Sequence, residues 1–154
     1  MLPKITKILY ATDLSASANN AFGYALCLAV NHSAKLSIVN VYEKLSNNVN
    51  MQMRNINYEA ARERLTELVK TQLGQYLKKE DFDECQYTKY VENIYVTAGM
   101  PVTAILTQAR EGKYDLIVMG THGHGFLFSA LIGSNAQKMV QESEIPVLVV
   151  RLQD

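Results

Sequence analysis

A chain of 154 residues has the length of one domain, 1–154, and its 48% hydrophobic content supplies a core without metal or disulfide staples. Fifteen Lys and Arg balance fifteen Asp and Glu, so no surplus positive charge is available to neutralise a phosphate backbone, and nucleic acid is disfavoured as the main partner. The cysteines, Cys27 and Cys85, form no C-x-x-C pair and read as two reduced thiols in a cytoplasmic protein.

The N-terminal stretch holds Lys4 and Lys7, but its apolar run at 8–11 is cut off by Asp13, too short for a signal peptide. No run approaches the roughly 20 apolar residues of a membrane span. Residues 7–12 (KILYAT) predict the first strand. From 15 to 32 the apolar residues Ala21, Phe22, Ala25, Leu26, Ala29 and Val30 fall at helical spacing. His32 ends that segment, where a histidine suits the helix dipole. Residues 35–42 (KLSIVNVY) read as a strand and 43–53 as a polar, Asn-rich loop holding Met51 and Met53. A long amphipathic helix is predicted over 54–79, with Ala61, Leu65, Leu68, Val69, Leu73, Tyr76 and Leu77 on one stripe. Gly74 weakens its last turns. Glu63 and Glu67 share its polar face with Arg62, Arg64 and Lys70, which reads as paired surface charge. An acidic turn at 80–84 precedes the third strand, 90–98. Gly99 breaks that strand, and Pro101 suits the first turn of a helix that runs to Glu111 and stops at Gly112. Residues 115–120 (DLIVMG) are nearly all apolar, as in a strand covered on both faces. After a loop with three glycines, a helix begins near Ser134, and 146–152 (PVLVVRL) closes the pattern as a fifth strand.

Strands alternating with helices predict an α/β domain: an open five-stranded parallel sheet, order 3-2-1-4-5, with helices on both faces, a Rossmann-like arrangement. In such a sheet ligands bind beyond the carboxyl ends of the strands, where the strand order reverses. The segments after strands 1 and 4, Thr12-Asp13 and Gly120 to Gly125, would face each other across that crevice. The second segment carries a spaced frame: Gly120, two residues, Gly123, nine residues, Gly133-Ser134. Glycines permit positive φ and close approach of a ligand. Consecutive amides form an anion nest, and a helix amino end adds free N–H donors. Together with the Ser134 hydroxyl these make a phosphate site that needs no lysine. The plainer alternative is a tight turn at 120–125 with Ser134 as a helix N-cap. The P-loop G-x-x-x-x-G-K-[ST] and a G-x-G-x-x-G after the first strand are both absent.

The stretches KILYATDLSASANNAFGYAL, AGMPVTAILTQAR and YDLIVMGTHGHGFLFSALIGSNAQKMVQESEIPVLVVR resemble the universal stress protein family over nearly the whole chain. The frame G-x2-G-x9-G-[ST] resembles the mark of that family's ATP-binding branch. The resemblance implies a homodimer that binds ATP, with accompaniment by Mg left open, and a role as a regulator or binding module in stress response. By motif position it implies that Gly120, Gly123, Gly133 and Ser134 hold phosphates and ribose. Ala11, Thr12 and Asp13 would line the base and ribose, and Val41 would touch the adenine. Met119, just before the frame, and His122, within it, are further binding candidates. Asn135 stands where many relatives carry an apolar residue, and a phosphate contact or no role are both open.

Several of these residues have plainer readings. Asp13 serves equally as a cap for the Ser15 or Ala16 amide. Its charge repels a triphosphate, which puts it at the adenine end. Thr12 reads first as backbone structure. His122 and His124 lack the third and fourth ligands of a metal site, so no metal is expected and they read as loop residues near a phosphate. No nucleophile, base or acidic cluster serves the loop, so no catalytic residue is assigned and at most slow ATP hydrolysis is expected. The alternatives are an ATP-hydrolysing or nucleotide-transferring enzyme on the same fold, and a nucleotide-free interaction domain. The last strand has four successive apolar residues, 147–150, at a sheet edge. Such an edge invites antiparallel pairing across a two-fold axis, so a homodimer through 146–152 is expected, with no membrane and no nucleic-acid partner.

Overall fold

The computed structural model describes residues 1–15, 18–42, 51–121 and 133–151, without the side chains of 51–57, 84 and 85. In chain order the elements are β1 (Lys7–Ala11), α1 (Ala18–His32), β2 (Lys35–Tyr42), α2 (Met51–Lys79), α3 (Glu84–Tyr90), β3 (Val91–Ala98), α4 (Pro101–Glu111), β4 (Leu116–Gly120), α5 (Ser134–Glu142) and β5 (Val147–Val150). The strands form one sheet in the order β3-β2-β1-β4-β5, and every pairing is parallel. This is the expected order, with β1 at the centre beside β4.

Successive strand residues point to opposite faces, and the sequence exploits this on both. Ile8, Tyr10, Leu36, Ile38, Leu116 and Val118 pack with Phe22, Ala25 and Leu26 of α1 and Val69, Leu73 and Leu77 of α2. The alternate set, Leu9, Ala11, Val39, Ile117 and Met119, packs with Val102 and Ile105 of α4 and Ala136 and Met139 of α5. Helices therefore cover both faces, which is why β4 and most of β1 read as apolar runs.

Four expectations need correction. A short helix, α3, occupies residues where a turn and the start of a strand were expected. Seven residues (ECQYTKY) are too few to display a helical period. α2 begins at Met51, inside the expected loop. β5 is shorter than 146–152, ending at Val150. Leu68 is 44% exposed: the buried stripe of α2 runs through Val69, Leu73 and Leu77, and Leu68 lies beside it. Gly74 does not interrupt α2. Gly99 has φ of +147°, backbone that favours glycine, and turns β3 into α4. Glu67 pairs with Lys70 at 3.5 Å and Arg62 with Glu59 at 3.8 Å, all exposed. His32 lies in the last turn of α1. Among the described residues no helix is long and apolar enough to cross a membrane. Cys27 is free and exposed.

Candidate functional site

The order reversal at β1 and β4 opens a cleft at the carboxyl ends of these strands. Its first wall is the turn after β1. The Thr12 amide donates to the Val39 carbonyl at 2.9 Å, extending the ladder one residue. Thr12 Oγ1 accepts from the Leu14 amide at 3.1 Å, and Asp13 Oδ1 accepts from the Ser15 amide at 2.9 Å. Short polar side chains close turns in this way. The local cap read for Asp13 is thus present, and its side chain stays exposed. Leu14 has φ of +66°, a left-handed conformation that a leucine adopts at a cost. Two carboxamides reach this turn from elsewhere. Asn40 Nδ2 donates to the Thr12 carbonyl at 2.9 Å, and Gln72 Nε2 to the Leu14 carbonyl at 3.0 Å. Below the turn, the buried Tyr10 hydroxyl donates to the Ala18 carbonyl at 2.6 Å and anchors the start of α1. Burial above all, and then the charge of Asp13, raises the Tyr10 pKa well beyond its ordinary value, against the lowering effect of Thr12. Tyr10 therefore remains a neutral donor.

The second wall is the end of β4 and the start of α5. The Thr121 amide donates to Val150 at 3.0 Å, and the Gly133 amide donates to the Thr121 carbonyl at 2.7 Å. Gly133 is the residue before the helix, with φ −61° and ψ 154°, and no side chain caps this end. Ser134 is the first helical residue rather than the cap, which corrects the plainer reading of it. The Gln137 amide donates to the carbonyl of the N-cap Gly133 at 3.1 Å and closes the first turn. The amides of Ser134, Asn135 and Ala136 consequently have no acceptor within the helix, at the end where its dipole is positive. Neither glycine serves a left-handed backbone: Gly133 is extended and Gly120 is not among the positive-φ residues. A Cβ built on Gly120 meets nothing within 4 Å among the described residues.

Between the walls lies a cleft of about 210 Å³ lined by Ala11, Thr12, Asp13, Val41, Met119, Gly120, Gly133, Ser134 and Asn135. The structure brings together these nine sequence candidates; His122 and Gly123 lie outside the described residues, as does His124. Six further residues line it: Ala18, Val39, Pro101, Ile105, Thr121 and Ala136. Val39 could have been found from the sequence, since it lies two residues before Val41 and therefore on the same face of β2. Pro101 and Ile105, four apart on α4, carried only a helix signal, because nothing local says which strand end they cover. The cleft is chemically divided. Val39, Val41, Pro101, Ile105 and Met119 give it an apolar side, while Thr12, Asp13, Ser134 and Asn135 bring polar groups. Asp13 is the one ionisable side chain among the described lining residues. No Lys or Arg joins them, so an anion here would rest on backbone amides, a hydroxyl and the helix end. Among the described residues no group of three or more His, Cys, Asp or Glu is placed to hold a metal ion.

Comparison with known proteins gives this architecture its relatives. Residues 4–151 match the model of the Universal stress protein family. A universal stress protein from Thermus aquaticus, encoded in the 3′ region of a QAH/OAS sulfhydrylase, is 33% identical over 144 residues, covering 94% of this chain and 97% of that one. Among solved structures, universal stress protein UspA from Lactobacillus plantarum superposes with a TM-score of 0.75 at 23% identity, covering 97% of this chain and all of the other. A universal stress protein in complex with cAMP superposes with a TM-score of 0.68, also at 23% identity, over 98% of this chain and 100% of that one.

Proposed function

The chain belongs to the universal stress protein family, and from that membership we propose that it binds ATP in the cleft between β1 and β4. It acts there as a cytoplasmic, homodimeric, nucleotide-dependent regulator or binding module in stress response. The observation that carries this reading is the division of the cleft, with an apolar side next to a helix end whose amides lack acceptors within the helix. An adenine nucleotide has the same division, a flat base at one end and anionic oxygens at the other. Val41, with Val39 and Met119, covers the base. Ala11, Thr12 and Asp13 take the base-and-ribose end, where a carboxylate suits sugar hydroxyls and keeps away from phosphate. Gly120, Gly133, Ser134 and Asn135 hold the phosphates, joined by motif position by His122 and Gly123. The open space at Gly120 supports this, because no atom of the described residues requires a glycine there. The relative in complex with cAMP is a further support from within the fold.

Binding rather than turnover is the proposed activity, with at most slow hydrolysis. The described lining residues include no nucleophile paired with a base. Any Mg would travel with the phosphates, held by them and not by a set of protein carboxylates. The dimer forms through β5, the edge strand after β4, whose Val147 and Val149 are only partly covered. The test is mass spectrometry of small molecules released by denaturing freshly purified protein. An adenine nucleotide in near-stoichiometric amount is expected. Its absence, together with no heat of binding when ATP is added back, overturns the reading in favour of a nucleotide-free interaction domain.

A further inference from the structure

Resting on that nucleotide reading, we infer that Asn40 and Gln72, neither of which lines the cleft, are positioning residues that fix its base-and-ribose end. Asp13 lies in the short stretch between the Thr12 and Leu14 carbonyls, and each of these carbonyls accepts a hydrogen bond from a side-chain carboxamide of a different element. Asn40 of β2 holds the Thr12 carbonyl at 2.9 Å, and Gln72 of α2 holds the Leu14 carbonyl at 3.0 Å. A carbonyl only accepts, so each side chain must present its NH₂ group there. The sheet alone would not place this turn. Its ladder ends with the Thr12 amide on Val39, and beyond that the chain enters the left-handed conformation of Leu14.

Asn40 is informative for a second reason. It is 4% exposed, in a strand whose neighbours Ile38 and Val39 are fully buried, and its Oδ1 has no hydrogen-bond partner among the described residues. A half-satisfied amide is poor core material, and an apolar residue would pack better against the same surroundings. What the asparagine supplies in return is the bond to Thr12. Gln72 makes the complementary contact from α2, 58 residues away in sequence. The carboxylate of Asp13 thereby takes its direction from β2 and α2 as well as from its own strand. Specificity for the sugar follows from that direction, whereas phosphate binding at α5 does not depend on it.

The test is calorimetric titration of ATP and of 2′-deoxyATP into the wild type, Gln72→Met and Asn40→Asp. Gln72 lies half-buried on a helix, and methionine keeps its length and helix propensity while removing the donor. Each variant is expected to bind ATP about fivefold more weakly, the value of one neutral hydrogen bond. The wild-type preference for ATP over 2′-deoxyATP should fall toward one in both. A merely structural role would weaken both nucleotides alike and leave their ratio unchanged. An unchanged ratio in folded Gln72→Met, or a wild-type ratio near one, overturns this inference and leaves ATP binding standing. Failure of the wild type to bind ATP overturns the proposed function as well. Circular dichroism reports folding, and Gln72→Met carries the test if Asn40→Asp does not fold.

Discussion

Gly120 and Gly133 were legible as a pair from spacing alone, but the reason for glycine was not. The sequence suggests a need for positive φ, and neither residue has one. What distinguishes Gly120 is room: among the described residues, a side chain there would meet only open space at the cleft wall. Gly120→Val should therefore leave folding stability within about 0.5 kcal/mol, since valine suits a strand end. It should weaken ATP binding by tenfold or more by occupying that space. Thermal unfolding and calorimetry on the same preparation check both halves, and a lost fold would show that the glycine is structural. Asn40 and Gln72 gave no signal in the sequence. Each looks like an ordinary polar residue in a strand or helix pattern, and each acquires its role only through a contact made by tertiary packing.

At the scale of elements, apolar period reported every strand and the four longer helices, because each buries one face or both. It failed for α3, which is too short, and for Leu68, where the apparent stripe was wider than the real contact. It also hid how α1 meets α2. Gly23 lowers the intrinsic helix propensity of α1, but its missing Cβ is what admits Tyr76, whose hydroxyl is the atom a Cβ would strike first. Tyr76 packs edge-on against Phe22, ring centroids 5.5 Å apart. Gly23→Ala should thus destabilise by about 1–3 kcal/mol through overpacking despite alanine's higher helix propensity. Adding Tyr76→Phe, which deletes the colliding hydroxyl, should recover part of that loss in denaturant unfolding. Stabilisation by Gly23→Ala alone would mean that α1 and α2 are not this close. The edge strand β5 carries an element-level expectation of its own. Val149→Lys should convert the proposed dimer to a folded monomer at micromolar concentration, since a charge blocks edge pairing. Light scattering decides, and a wild-type monomer would contradict the dimer itself.

Across the whole molecule, a parallel sheet must be tied by contacts distant in sequence, and these are what local patterns cannot show. Asp115 illustrates this at the end of the sheet opposite the cleft. Its carboxylate accepts from the Thr6 amide at 2.8 Å, the Thr6 hydroxyl at 2.9 Å and the Lys7 amide at 2.9 Å, across 108–109 residues. Partial desolvation raises its pKa, but the bonds from Thr6 and Lys7 and the Lys7 charge outweigh this and lower it below the ordinary value. A depressed folded pKa stabilises the fold above the unfolded pKa of about 4 and loses that contribution as pH falls through the folded value. Asp115→Asn should accordingly cost about 1–2 kcal/mol at pH 7, a modest figure for a partly exposed group. The difference from wild type should shrink below about pH 4. Urea unfolding at pH 7 and pH 3 measures it, and an equal difference at both would show that the charge is not what matters. The site was more legible than these ties because its residues cluster in two short segments at strand ends. Its α4 lining was not legible, since which helix covers which strand end is decided by the sheet order.

The amino end of α5 is proposed to receive a nucleotide's phosphates. Calorimetric titration of ATP into wild type and Ser134→Ala tests it most directly. Ser134 is exposed and caps nothing, so alanine should leave the circular dichroism unchanged. Loss of one charge-assisted hydrogen bond should cost about 1.5–3 kcal/mol, roughly ten- to a hundredfold in affinity. Equal affinities for ATP in the two proteins, or no binding in either, would contradict it.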